Sequence, residues 1–69
     1  MINYEIIVYW SFEDNAFIAE APELAGCMAD GQSYTEAAQN AETAMTEWIE
    51  TARMIGRNIP TARGKLVYA

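Results

Sequence analysis

The sequence predicts an α+β domain of two layers: a three-stranded antiparallel meander, one long helix, and a final strand beside the first. Three observations lead to this fold class. Three short runs of strand-forming residues, separated by turn-forming clusters, occupy the stretch up to Gly31. A single apolar stripe of helical period then runs from Tyr34 to Ile55. A last apolar run, Lys65 to Tyr68, follows Pro60, which bars continuation of the helix.

The first run, Tyr4 to Trp10, reads YEIIVYW and is rich in β-branched and aromatic residues that suit a pleated surface. One face carries Tyr4, Ile6, Val8 and Trp10; the other carries Glu5, Ile7, Tyr9 and Ser11. Glu13-Asp14-Asn15 is a polar cluster suited to a hairpin turn. Ala16 to Glu20 is the second strand, with Phe17 and Ile18 as its bulk. Ala21 to Gly26 is a loop: Pro22 lacks a ladder donor and Gly26 permits positive φ. Cys27 to Ala29 is a short third strand, closed by Asp30-Gly31.

Ser33-Tyr34-Thr35-Glu36 opens the helix as a capping box, in which Ser33 accepts from the Glu36 amide and the Glu36 carboxylate reaches back to Ser33. Apolar residues recur at Ala37, Ala38, Ala41, Ala44, Met45, Trp48, Ile49, Ala52 and Ile55. Gln39, Asn40, Glu42, Thr43, Glu47, Glu50 and Arg53 form the opposite face. Gly56 sits where a left-handed cap ends the helix. Asn58 to Thr61 is a turn or extended piece, and the last strand, Lys65 to Tyr68, pairs beside the first. One helix covers only one face of such a sheet. The other face exposes residues such as Ile7 and Tyr9, or their counterparts on the alternate register, which marks an interface with a homo-oligomer (dimer or tetramer), a protein partner, or both. The alternative is that the tail folds back over that face.

Sixty-nine residues make one domain spanning 1–69. A domain this small buries only about 60% of its unfolded surface, so it leans on a staple or a partner. Cys27 is the single cysteine and there is no histidine, which excludes an intrachain disulfide and argues against zinc. A reducing, cytoplasmic setting and support by oligomerisation are expected. No apolar run approaches the roughly 20 residues that span a bilayer, and Met1 to Glu5 has no signal-peptide pattern, so no membrane partner is expected. The formal charge of −6 repels phosphate backbones and attracts basic proteins.

Catalytic equipment is sparse. Without histidine the commonest general base is missing, and Cys27 beside Gly26, Met28 and Ala29 reads as a buried structural thiol. Ser11 and Ser33 have no base, and capping explains Ser33. Glu5, Glu20 and Asp30 lie on or beside strands and could together hold Mg²⁺ for phosphodiester cleavage; solvent-facing strand ends are the simpler reading. No phosphate-cradling glycine loop exists. The aromatic residues Tyr4, Tyr9, Trp10, Phe12, Phe17 and Trp48 lack interleaved Lys or Arg, so they read as core and interface rather than base-stacking platforms. Trp48 is expected in the core. No cofactor is expected.

The stretch from Phe17 to Pro60 resembles the HicB antitoxin family. The features that carry the resemblance are an aromatic strand running into Pro22-Glu23-Leu24-Ala25-Gly26-Cys27, and a small strand ending at Gly31. They continue with Ser33 ahead of Glu36-Ala37, Trp48 in the second half of the helix, and the exit Gly56 to Ile59-Pro60. The match runs from about Tyr4 to Pro60. The resemblance implies a non-catalytic antitoxin domain, similar to a truncated ribonuclease H fold, that forms dimers or higher oligomers. It implies a partner of HicA type, a small mRNA-cleaving ribonuclease whose active site the antitoxin covers. Many members carry a further C-terminal DNA-binding domain. With four basic residues and an end at Ala69, direct DNA binding is not expected here. The expected toxin contact is the hairpin turn Phe12, Glu13 and Asp14 with Glu23 and Asp30, whose carboxylates suit the arginines and lysines of an RNA-binding site. The competing readings are an orphan structural oligomer and a minimal Mg²⁺-dependent nuclease.

Overall fold

The computed structural model describes residues 3–63. Its element order is β1 (Ile7–Ser11), β2 (Ala16–Glu20), β3 (Met28–Gly31) and α1 (Tyr34–Met54). The strands form one antiparallel sheet in the order β1-β2-β3, and the helix lies across one face, mainly over β3 and β2. This is the two-layer α+β arrangement expected from the patterning. The expected final strand, Lys65 to Tyr68, lies outside the described residues; within them the tail comes back as far as Tyr4, whose hydroxyl donates to Pro60 O, and Thr61 and Arg63 border Glu23.

β1 is shorter at its start than the expected Tyr4–Trp10. The register pairs Ile7 with Glu20, so Ile6 and Glu5 fall opposite Ala21 and Pro22. There the partner chain turns away and offers no ladder. β3 is shifted one residue from the expected Cys27–Ala29 and runs on through Gly31. At the hairpin, Asn15 takes the left-handed conformation (φ 51°), which asparagine tolerates. The Ser11 hydroxyl donates to Asp14 at 2.9 Å and accepts from the Asp14 amide.

The loop between β2 and β3 is two consecutive turns. Leu24 N donates to Ala21 O with Pro22 second in the turn; Cys27 N donates to Leu24 O with Gly26 third, at φ 74°. Leu24 points inward from this loop and is 1% exposed.

Ser33 caps the helix by accepting from the Glu36 amide at 3.0 Å. The reciprocal half differs from expectation by one residue: the Glu36 carboxylate accepts from the Gln32 amide, not from Ser33. It still satisfies a donor at the helix entrance. At the other end Gly56 N donates to Arg53 O and Arg57 N to Ala52 O, with Gly56 at φ 71°. That pair of bonds is a Schellman stop.

The core has two adjoining parts. Ala19, Ala37 and Ala41, all fully buried, let the helix approach the sheet, flanked by Ile6, Val8, Phe17 and Ala29. Ala21, Leu24, Cys27 and Met45 fill the space under the β2–β3 loop, with Tyr4, Ile6, Ala44 and Trp48 against them. Gly31 marks the closest approach: a Cβ there would lie 2.5 Å from Ala37 N. Asn40 Nδ2 donates to Asp30 O and ties helix to strand at the same place. Cys27 is buried, as expected, and burial pushes its thiol pKa up. Trp48 is half-buried rather than enclosed, its indole N–H donating to Ala25 O at 3.0 Å. Ile55, the C-cap residue, is exposed, so the buried part of the expected stripe ends at Ala52.

Candidate functional site

Strand alternation puts Val8, Trp10, Phe17, Ala19 and Ala29 on the helix side and Ile7, Tyr9, Ile18, Glu20, Met28 and Asp30 on the open side. Tyr9 is 43% and Met28 55% exposed, so the open face displays apolar surface, as the two alternating faces of the first run required.

The hairpin tip carries Phe12, the most exposed of the large hydrophobic residues among those described. Phe12 is 90% exposed, and Glu13 and Asp14 are exposed beside it. Phe12 stands edge-on to Trp10 with ring centroids 6.5 Å apart. Trp10 packs edge-on to its cross-strand neighbour Phe17 at 4.9 Å, and Phe17 meets Tyr34 at 4.4 Å. Four rings thus form a continuous ladder from the hairpin tip to the first turn of the helix. Such offset and edge-to-face pairs are the favoured aromatic geometries.

The expected contact residues divide between two ends of the sheet. Asp14 and Asp30 line one cleft together with Ile18, Met28 and Ala29, next to Phe12 and Glu13. Glu23 lies at the opposite end of β2, in the loop after Glu20, and borders a separate cavity with Pro60, Thr61 and Arg63. Among the described residues its Oε2 is buried and has no hydrogen-bond partner. The hairpin group is therefore assembled and Glu23 stands apart from it. By residue type and spacing Trp10 and Phe17 suit only core or interface, and Tyr34 only a helix start. Their convergence depends on the Trp10–Phe17 register and on where the helix begins, which residue spacing does not reveal.

The carboxylates considered for Mg²⁺ do not gather. Glu20 and Asp30 share the open face at different levels of the sheet, facing Ile7 and Ile18 respectively. Among the described residues no three of His, Cys, Asp or Glu cluster to hold a metal ion. No helix of the described residues is long and apolar enough to cross a membrane.

A family model described as a HicB-like antitoxin of a bacterial toxin–antitoxin system matches residues 4–66. A UPF0150 protein of Synechocystis sp. is 31% identical over 65 residues, covering 94% of this chain and 88% of that protein. No solved structure matches the chain significantly.

Proposed function

This chain belongs to the HicB-like antitoxin family of bacterial toxin–antitoxin systems, and we propose that it binds a HicA-like ribonuclease toxin and covers the toxin's active site. It acts by occlusion, in the cytoplasm, without chemistry of its own and without direct DNA contact. The observation that carries this reading is the hairpin tip. An exposed aromatic residue, Phe12, stands with Glu13 and Asp14 on a chain of net charge −6. An RNA-cleaving toxin presents cations to phosphate, and carboxylates pair with the same cations. Asp30 extends the acidic surface along the cleft it shares with Asp14.

A second copy of the chain covers the open face through Ile7, Tyr9 and Met28, giving a dimer or a tetramer. The reason is the apolar surface left there by a single helix layer. The hairpin tip and its ring ladder remain available to the toxin.

Sedimentation of the purified chain, alone and mixed with a small basic protein encoded beside it, tests the proposal. The expected result is a stable mixed complex that suppresses cleavage of labelled RNA, and loss of most of that affinity by calorimetry in Glu13→Lys. Glu13 is the cleaner site for charge reversal because the Asp14 carboxylate also accepts from Ser11. A chain that sediments unchanged with the candidate toxin overturns the antitoxin reading. Unchanged affinity of Glu13→Lys removes the hairpin from the contact.

A further inference from the structure

The ring ladder exposes far more aromatic surface than a solvated hairpin needs. Phe12 is 90%, Tyr34 60% and Trp10 37% exposed, yet each is held in a defined edge-to-face or tilted contact with its neighbour. Exposed aromatic residues are enriched at protein–protein interfaces, and Trp and Tyr among their binding hot spots. Three classes of occupant are conceivable, and charge separates them. RNA is repelled by a chain of −6 whose Glu13 and Asp14 adjoin the first ring. A second copy carries the same net charge of −6 and is repelled by the acidic tip as well. A cationic protein surface is attracted by both the carboxylates and the π-faces.

The chain itself displays the chemistry. Arg57 lies over Trp48, 4.9 Å from the ring centroid. Among the described residues no cation of this chain stacks on the ladder, and Phe12, Tyr34 and Trp10 expose surface that a partner's cation could reach.

We propose that the ladder of Phe12, Trp10, Phe17 and Tyr34 is a receiving surface for arginine side chains of a basic protein partner. The guanidinium stacks on the exposed rings and Glu13 closes over it as counter-ion. Arginine fits better than lysine because its planar, weakly hydrated head stacks on rings while still donating to a carboxylate in a fork. Applied to the toxin, this proposal rests on the antitoxin reading above and names the chemistry of its contact.

The test has two arms on the full chain. In the first, hexa-arginine and hexa-lysine peptides of equal charge are titrated in turn, and the Trp10 and Trp48 indole N–H signals and the Phe12 and Tyr34 ring signals are followed by NMR. Hexa-arginine should shift Trp10, Phe12 and Tyr34 selectively and bind about five-fold more tightly than hexa-lysine. Phe12→Ala should remove that preference; Phe12 packs against little beyond Trp10, so the variant stays folded. Equal response to the two peptides, or shifts confined to Trp48 or the open face, overturns the proposal. In the second arm the co-encoded basic protein replaces the peptides. Unchanged affinity for Phe12→Ala and Tyr34→Ala overturns the ladder as its contact and leaves the antitoxin reading intact. Failure of that protein to bind, with the arginine preference still present, defeats the antitoxin reading and supports the ladder.

Discussion

The guanidinium of Arg57 sits over the indole of Trp48 at 4.9 Å, although the two residues belong to different turns of backbone. The Schellman stop brings them together. Gly56 at φ 71° reverses the chain, the Arg57 amide bonds back to Ala52 O, and the arginine folds over the last turns of the helix. The indole is in turn anchored to Ala25 O, so helix end, arginine and the β2–β3 loop are linked through one ring.

Gly56→Ala should therefore lower stability by about 1 kcal/mol through the left-handed backbone alone, since open space surrounds the position. It should also loosen Arg57 from Trp48. Urea unfolding measures the first effect, and the Trp48 indole chemical shift the second.

Glycine at position 31 answers to a different constraint. Its Cβ would meet Ala37 N at 2.5 Å, whereas a Cβ at Gly26 meets nothing within 4 Å. Gly31→Ala should cost about 3 kcal/mol by forcing the helix off the sheet. Gly26→Ala should cost about 1 kcal/mol from its positive φ. Comparing the two unfolding midpoints checks the order.

Trp48→Ala should cost about 2–3 kcal/mol, below the figure for a fully enclosed ring, because Trp48 is only half-buried. Trp48→Phe keeps most of the packing and loses the bond to Ala25 O, an exposed residue that water can reach, so the cost should stay under about 1 kcal/mol. Denaturant titration of both variants separates packing from hydrogen bonding.

Cys27 should resist iodoacetamide until the chain unfolds, because burial favours the neutral thiol. The raised pKa also sets a pH dependence. Its contribution is fully present below the ordinary thiol value of 9.0 and is lost as pH rises from there through the folded value, because the unfolded chain gives up the proton first. Cys27→Ala should flatten that part of the stability–pH curve, measured by urea midpoints from neutral to alkaline pH.

Salt should act oppositely on the two proposed assemblies. Copies of a −6 chain repel, so raising salt should tighten self-association through the open face. The complex with a basic toxin should weaken instead. Sedimentation of each at low and high salt tests the pair of signs.

The residues announce much of this architecture. The hairpin at Glu13 to Asn15, the cap at Ser33, the stop at Gly56 and the buried Cys27 were each legible because a local rule governs them: turn chemistry, a side-chain acceptor for a free amide, a left-handed cap, a thiol without a base. The start of β1 was not, since whether Tyr4 to Ile6 joins a ladder depends on where the opposite chain turns away at Pro22. Nor was the separation of Glu23 from Asp14 and Asp30, because carboxylates close in sequence pattern lie at opposite ends of a strand.

The sequence by itself determined the order of the described elements, the face of the helix that packs, the net charge of −6 and the family resemblance. Tertiary structure alone decided which rings touch and which carboxylates share a surface. Trp10 meets Phe17 only through the cross-strand register, and Tyr34 meets Phe17 only because Gly31 lets the helix begin against the sheet. Local propensity acts over a few neighbouring residues. Contacts between distant segments are set by register and close packing, which no single segment encodes.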